Sequence, residues 1–394
     1  MNLKIRHLRW VLLAVILLLT LTGCSGRRLS STSWPAVVVD DTVAYVAFGQ
    51  EFFAIDPGQQ QEEWRYPAAD NLDPQVTYYA APAVSDGILV VGGYDSVLYG
   101  VDRETRRIAW NFNRATGRYV GGPVILGNKV YAATAGNELF SLSLDELSEL
   151  GVVEKADEAR RAREAAAVEW EFEAEQGFWS APLVTEETLF IGSLDHYVYA
   201  LETESGRLLW KEELPGAIAG TPVLSEDGST LYVGNFDYHL YALDAATGDQ
   251  LWQVEAQNWV WGSPVLAHST LYFGDLDGNL YAVQAETGEL LWSQQVADAI
   301  RGGPVYDQES NLLFITGRKE SNPGGVGTRG LALALDVETN RVVWEQATTE
   351  TIYTSPILAG EMLLVAPAQG SVLLHVLNAE TGVVQWDYAP HPED

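Results

Sequence analysis

A chain of 394 residues with a single cysteine, Cys24, can form no internal disulfide and carries no cysteine-based zinc pattern. Basic residues are scarce as well: 23 Lys and Arg stand against 54 Asp and Glu, for a formal net charge of -31. Nucleic-acid binding needs a basic footprint that neutralises phosphates, so this balance argues against such a partner. Charged residues make up only 20% of the chain, whereas 47% hydrophobic and 11% aromatic residues can build a sizeable core, which argues against disorder. The acidic excess reads as a solvated shell that favours solubility and repels anionic lipid surfaces. No GxSxG nucleophile elbow and no Gly-rich phosphate loop between strand and helix is present, so the motifs supply no catalytic residue.

A long hydrophobic run is missing too. The apolar stretch from Trp10 to Leu21 is too short to span a bilayer, which takes about 20 residues. It follows Lys4, Arg6 and Arg9 and ends in Leu21, Thr22, Gly23 and Cys24, a sequence that resembles a bacterial lipobox. The pattern predicts a signal peptide over 1–23, an acylated Cys24, and a polar tether over 24–34. Several acyl chains, each worth about 0.8 kcal/mol per buried CH₂, would hold the chain stably on a membrane. Ser25 resembles the residue that directs such lipoproteins to an outer membrane. The expected location is the cell envelope, lipid-anchored and extracytoplasmic: the outer membrane where there is one, otherwise the outer face of the cytoplasmic membrane.

The rest of the sequence repeats at about 40 residues. A small residue, Pro and an apolar run recur at Pro35, Pro82, Pro123, Pro182, Pro222, Pro264, Pro304 and Pro356. Each unit closes on a tryptophan, at Trp64, Trp110, Trp170, Trp210, Trp252, Trp292, Trp344 and Trp386. Between Pro222 and Trp252 lie short β-rich runs separated by Gly, Asp, Asn and Ser turns. Four antiparallel strands per unit, repeated eight times, predict an all-β fold: an eight-bladed β-propeller over 35–394. The eight tryptophans are read as structural wedges between blades. Unit 3 carries an insert, 143–168, whose stretch Glu154–Ala167 favours a helix with Arg160 and Glu164 paired but has no apolar stripe, so an exposed helix is expected. Unit 7 carries a Gly-rich segment, 317–330, expected to be a mobile loop.

In a propeller the interblade segments share a face with the turns between the second and third strands. Three and four residues before the repeat Pro these segments are aromatic: Tyr78 and Tyr79, Tyr119, Phe178 and Trp179, Trp261, Tyr353, with Trp259 nearby and Arg301 in the equivalent place of unit 7. Aromatic residues with an Arg are what protein interfaces favour, so Tyr79, Trp179, Trp261, Arg301 and Tyr353 are candidate partner-binding residues. Packing against neighbouring blades is the alternative. Aspartates recur in the turns at Asp95, Asp195, Asp237 and Asp277, with Asn235 and Asp275 two residues earlier. The run Asp275–Asn279 lacks the distant Glu of an EF-hand, so backbone geometry rather than a metal is the expected role. His196 and His239, in the same turns, have no second ligand at metal spacing.

The closing half of each unit follows AxDxxTGxxxW, intact from Ala242 to Trp252 and varied at Ala200–Trp210, Ala282–Trp292, Ala334–Trp344 and Val376–Trp386. This resembles the tryptophan-docking motif of the pyrroloquinoline-quinone-like eight-bladed propellers and covers nearly all of 35–386. That family includes quinone-dependent dehydrogenases, many of which hold the quinone against a disulfide of adjacent cysteines beside a calcium-bound carboxylate. It also includes a non-catalytic lipoprotein branch with the propeller subunit of the outer-membrane β-barrel assembly machinery. With its one cysteine in the lipobox, this chain resembles the second branch. The resemblance implies a non-enzymatic, membrane-anchored scaffold without cofactor or metal that binds protein partners in the envelope. A quinone dehydrogenase, or a sensor of small ligands or polysaccharide, is the alternative.

Overall fold

The computed structural model describes residues 36–67, 76–85, 87–152, 157–320 and 328–390. The leader, Cys24, the tether and Pro35 lie outside the described residues. Each repeat forms one four-stranded antiparallel sheet whose strands, A to D, follow in chain order. Blades 1 to 8 span residues 36–66, 83–112, 124–173, 183–213, 223–255, 265–295, 305–348 and 357–388. The innermost strands of blades 1 and 8 touch, which closes the ring. An eight-bladed propeller is therefore what the repeat arithmetic required.

The core is not a single central body but a set of layers between blades. Strands B and C of blade 5, Thr230–Gly234 and His239–Asp244, are buried almost throughout, because a neighbouring blade covers each face of the sheet. This explains their apolar runs where a one-sided sheet would alternate. One layer joins Tyr232, Leu240 and Val260 to Phe273 and Tyr281 of blade 6. The seam between blades 8 and 1 is built the same way, from Val46, Phe53 and Ile55 against Leu364, Val376 and Tyr388. There Arg65 also donates to the Pro390 carbonyl at 3.1 Å.

The repeated motif is a docking device. In blade 5 the ladder between strands C and D bulges after Ala242, which pairs across with Trp252. The other blades bulge at the equivalent step, as between Ala200 and Leu201 and between Ala282 and Val283. A bulge sharpens the local twist and re-aims a side chain, and the small residue opposite leaves space for the indole. The Trp252 Nε1 then donates to Ala285 O of the next blade at 3.2 Å. Trp170, Trp210 and Trp344 do the same to Thr203, Ala245 and Ala379, at 3.0, 3.0 and 2.9 Å. The motif's Asp closes the turn: Asp244 Oδ1 accepts from the Ala246 and Thr247 amides. Its Gly has two reasons to be Gly. Gly248 has φ of +82°, and a Cβ there would lie 2.6 Å from the Trp210 ring.

Two expectations need correction. The blade-3 insert forms two helices, α1 (Leu144–Ser148) and α2 (Glu158–Ala167), and is not simply exposed. Arg160, Glu164 and Ala167 make a buried stripe on α2, and Leu147 and Leu150 join the core around Trp110. The insert caps the outer edge of blade 2: Asn111 N donates to Gly151 O, Asn113 N to Glu164 Oε1, and the Arg160 guanidinium to Asn111 O. It covers strand edge that would otherwise stay open. The Gly-rich segment of blade 7 is only partly a loop. Strands B and C run Leu312–Glu320 and Thr328–Asp336, so both of its flanks belong to a lengthened hairpin, while 321–327 lie outside the described residues.

Candidate functional site

The interblade segments and B–C turns do share one face, where each segment is stitched between the turns of two blades. Ile218 N donates to Ser193 O of blade 4 at 3.1 Å, and Phe236 N of blade 5 donates to Ala217 O at 3.0 Å. The extended backbone then sends successive side chains in opposite directions. The residue four before the repeat Pro turns into the core: Tyr78, Tyr119, Phe178, Ile218, Val260, Ile300 and Ile352 are all buried. The residue three before it turns to the mouth in six segments, where Tyr79, Val120, Trp179, Trp261, Arg301 and Tyr353 are half-buried or exposed, while the equivalent Ala219 is buried. Tyr78, Tyr119 and Phe178 are therefore blade filler, and only their neighbours face the mouth.

All five predicted partner-binding residues lie along this mouth. Trp179 and Trp261 are 6.1 Å apart between ring centroids. The Arg301 guanidinium lies 5.2 Å from the Trp261 ring and 4.5 Å from that of Tyr353, bridging the two. Such cation–π contacts hold both partners in place. Tyr79 packs on Tyr94 at 4.5 Å. Three residues the sequence reading missed complete the arc. Phe236 stacks on Trp259 at 4.7 Å and touches Trp261 at 5.0 Å, and Arg118 lies over Tyr94 at 4.3 Å. Tyr94 and Phe236 sit in B–C turns, next to the recurring Asp, which is the signal that would have found them. Tyr79, Tyr94, Arg118, Val120 and Trp179 line a cavity of about 570 Å³ at the blade 2–4 end of the arc.

The turn aspartates have structural work at the same face. The Asp95, Asp195 and Asp237 carboxylates accept the hydroxyls of Tyr99, Tyr199 and Tyr241 at 2.6, 2.7 and 2.5 Å. In blade 6 the partner of Tyr281 is Asp275, at 2.8 Å, while Asp277 accepts from Asn258. Burial first, and the carboxylate next, raise the Tyr199 and Tyr241 hydroxyls above their ordinary range. His196 occupies the left-handed position of its turn, with φ of +78°, and His239 Nδ1 lies 2.9 Å from Asp237 O. Both histidines thus serve their turns. A third, His375, is buried in strand C of blade 8, with Nδ1 2.6 Å from Asp387 Oδ1 and Nε2 3.5 Å from Glu350 Oε2. Burial alone would depress its pKa, but the two carboxylates raise it overall.

A family described as outer membrane protein assembly factor BamB matches this chain over residues 20–166, 151–321 and 277–394. Among solved structures, BamB from Moraxella catarrhalis superposes with a TM-score of 0.59 at 17% identity, covering 80% of this chain and 91% of that one. A quinohemoprotein alcohol dehydrogenase from Comamonas testosteroni superposes with a TM-score of 0.62 at 13% identity, covering 79% and 67%. Among curated proteins, a tetrathionate hydrolase of Acidithiobacillus ferrooxidans is 24% identical over 166 residues, which cover 38% of this chain and 32% of the relative. The match thus spans about a third of that relative's length.

Proposed function

This chain belongs to the outer membrane protein assembly factor BamB family, and we propose that it is a non-catalytic, lipid-anchored scaffold that binds protein partners in the cell envelope. The observation that carries this reading is the aromatic arc at the propeller mouth. Trp179 and Trp259 are each 38% exposed there, beside Trp261, Tyr353 and Arg301. Preformed, partly exposed Trp, Tyr and Arg are the residues that dominate protein interfaces, where burying them on a partner releases the most free energy.

The dehydrogenase branch of the fold binds a quinone, and the residues here do not fit one held by calcium and paired cysteines. The carboxylates of the B–C turns are tied to tyrosine hydroxyls. Among the described residues no three His, Cys, Asp or Glu side chains are grouped to hold a metal ion.

Crosslinking followed by pull-down from membranes tests the scaffold. The combined change Trp179→Ala, Trp261→Ala, Tyr353→Ala is expected to lose the captured proteins while melting close to the parent chain. Normal melting with unchanged capture would move the binding site to another surface, and early melting would make these residues blade filler. Dye reduction on adding pyrroloquinoline quinone and calcium would overturn the non-catalytic reading.

A further inference from the structure

We infer that the cavity bounded by Arg118, Tyr94, Tyr79 and Trp179 recognises a carboxylate carried beside an apolar side chain on an extended segment of a partner protein. The inference rests on the scaffold reading and names the chemistry of one part of that site.

The backbone that carries Arg118 is held firmly. The buried carboxylate of Glu138 accepts from Gly117 N at 2.9 Å, from Thr116 N at 3.0 Å and from the Thr116 and Thr134 hydroxyls at 2.9 and 3.1 Å. Arg118 O accepts from Ala135 N at 2.8 Å. These bonds pin the backbone on both sides of Arg118, and the side chain lies across Tyr94, itself packed on Tyr79. One face of the guanidinium is covered by a ring, and beside the aromatic side chains the wall holds Thr116, Gly117, Val120, Ala135 and Gly136.

Among the described residues no carboxylate forms an ion pair with Arg118, although acidic residues outnumber basic ones 54 to 23 in the chain. A planar guanidinium stacked on a ring and lacking an internal counterion is matched to bidentate carboxylate binding. The strongly acidic chain disfavours multiply charged anions such as phosphate, whereas a single carboxylate balances the one cation. Trp179 lines this cavity and also meets Trp261, so the cavity adjoins the arc. That adjacency favours a chain segment, which can occupy both, over an isolated small acid.

Fluorescence anisotropy on the full chain tests this with two labelled, end-capped peptides, Gly-Phe-Asp-Phe-Gly and its Asn counterpart. The Asp peptide is expected to bind roughly tenfold more tightly, the usual scale of a charge-assisted pair. Arg118→Gln should erase the difference and Arg118→Lys should restore only part of it, with melting unchanged in both. Equal binding of the two peptides by the parent chain, or a preference that survives Arg118→Gln, would overturn the inference. So would displacement of the Asp peptide by an equal concentration of inorganic phosphate. Trp261 and Tyr353 lie outside the cavity, which separates the two readings. Membrane capture that depends on them without an Asp preference would leave the scaffold standing and sink the cavity. An Asp preference with capture indifferent to them would do the reverse.

Discussion

Arg160 and Glu164 form a 3.0 Å ion pair on one face of α2, and both are buried against the outer strand of a different blade. Arg160 gives its remaining N–H groups to Asn111 and to Leu150 O, and Glu164 accepts from Asn113 N. Removing one partner strands the other as a buried charge. Arg160→Ala is therefore expected to cost about 3–5 kcal/mol in urea unfolding, and Arg160→Met with Glu164→Leu distinctly less. If Arg160→Ala unfolds with the parent midpoint, the insert does not seal blade 2.

The docking tryptophans should not weigh equally. Trp110 is fully buried under Leu147 and Leu150, while Trp252 is half-buried and spends its N–H on Ala285. Trp110→Ala should lie at the upper end of the roughly 3–5 kcal/mol typical of large aromatics, and Trp252→Ala at the lower end. The Phe series tests the polar part. Trp252→Phe gives up about 1 kcal/mol of hydrogen bond, whereas the Trp110 Nε1 has no hydrogen-bond partner among the described residues.

Two glycines of blade 5 separate backbone strain from crowding. Gly228 has φ of +72° with open space where a Cβ would go, and Gly248 has φ of +82° with the Trp210 ring in that space. Gly228→Ala should cost about 1–2 kcal/mol, the left-handed penalty alone. Gly248→Ala should cost roughly 1–3 kcal/mol more for the displaced ring. Equal melting shifts would show that the Trp210 ring yields freely.

Blade 8 carries a pH-dependent seam. The His375 pKa stands above its ordinary 6.5, so its contribution is complete below that value and fades as pH rises through the raised one. Glu350 stands below its ordinary 4.5: burial opposes this, and the His375 contact outweighs it. Its contribution is present above 4.5 and fades as pH falls through the lowered value. The pair therefore stabilises the fold most between the two ordinary values. His375→Gln should flatten the pH dependence of melting in that window and shift it little in alkali. A parent chain without a mildly acidic maximum relative to the variant would refute the assignment.

Cys24→Ser should leave the folded ring intact but release it or leave it unprocessed, since the blades begin beyond the tether. Fractionation with alkaline carbonate washing checks this. A variant still processed at the same site and still pelleting would remove the lipid from the picture.

Blade count, strand order and the shared face were legible because Pro, Trp and turn residues recur in fixed register. The burial of α2 was not, because its buried stripe is Arg160, Glu164 and Ala167, and two of those three are charged. Hydrophobic periodicity has no power over an ion pair that is satisfied by a neighbouring strand. The blade-7 hairpin misled for a related reason. Gly317 and Gly330 look like loop formers, yet a Cβ at either would meet backbone within 3 Å, so they mark close approach inside a ladder. At the mouth, aromatic composition pointed to the interblade segments. Only the alternation between core-facing Tyr78 and mouth-facing Tyr79 separates filler from surface.

Because strand A of blade 1 starts, and strand D of blade 8 ends, on the side of the interblade segments, the chain enters and leaves the ring on the face that bears the arc. With the proposed lipid on Cys24, that face would turn toward the bilayer, since the span from Cys24 to Ala36 cannot exceed roughly 40 Å. That gap would then limit the thickness of any partner domain seated on Trp179 and Trp261. Such an anchor would favour proteins that already lie against the same membrane, and a soluble partner arriving from the far side would meet the back of the ring.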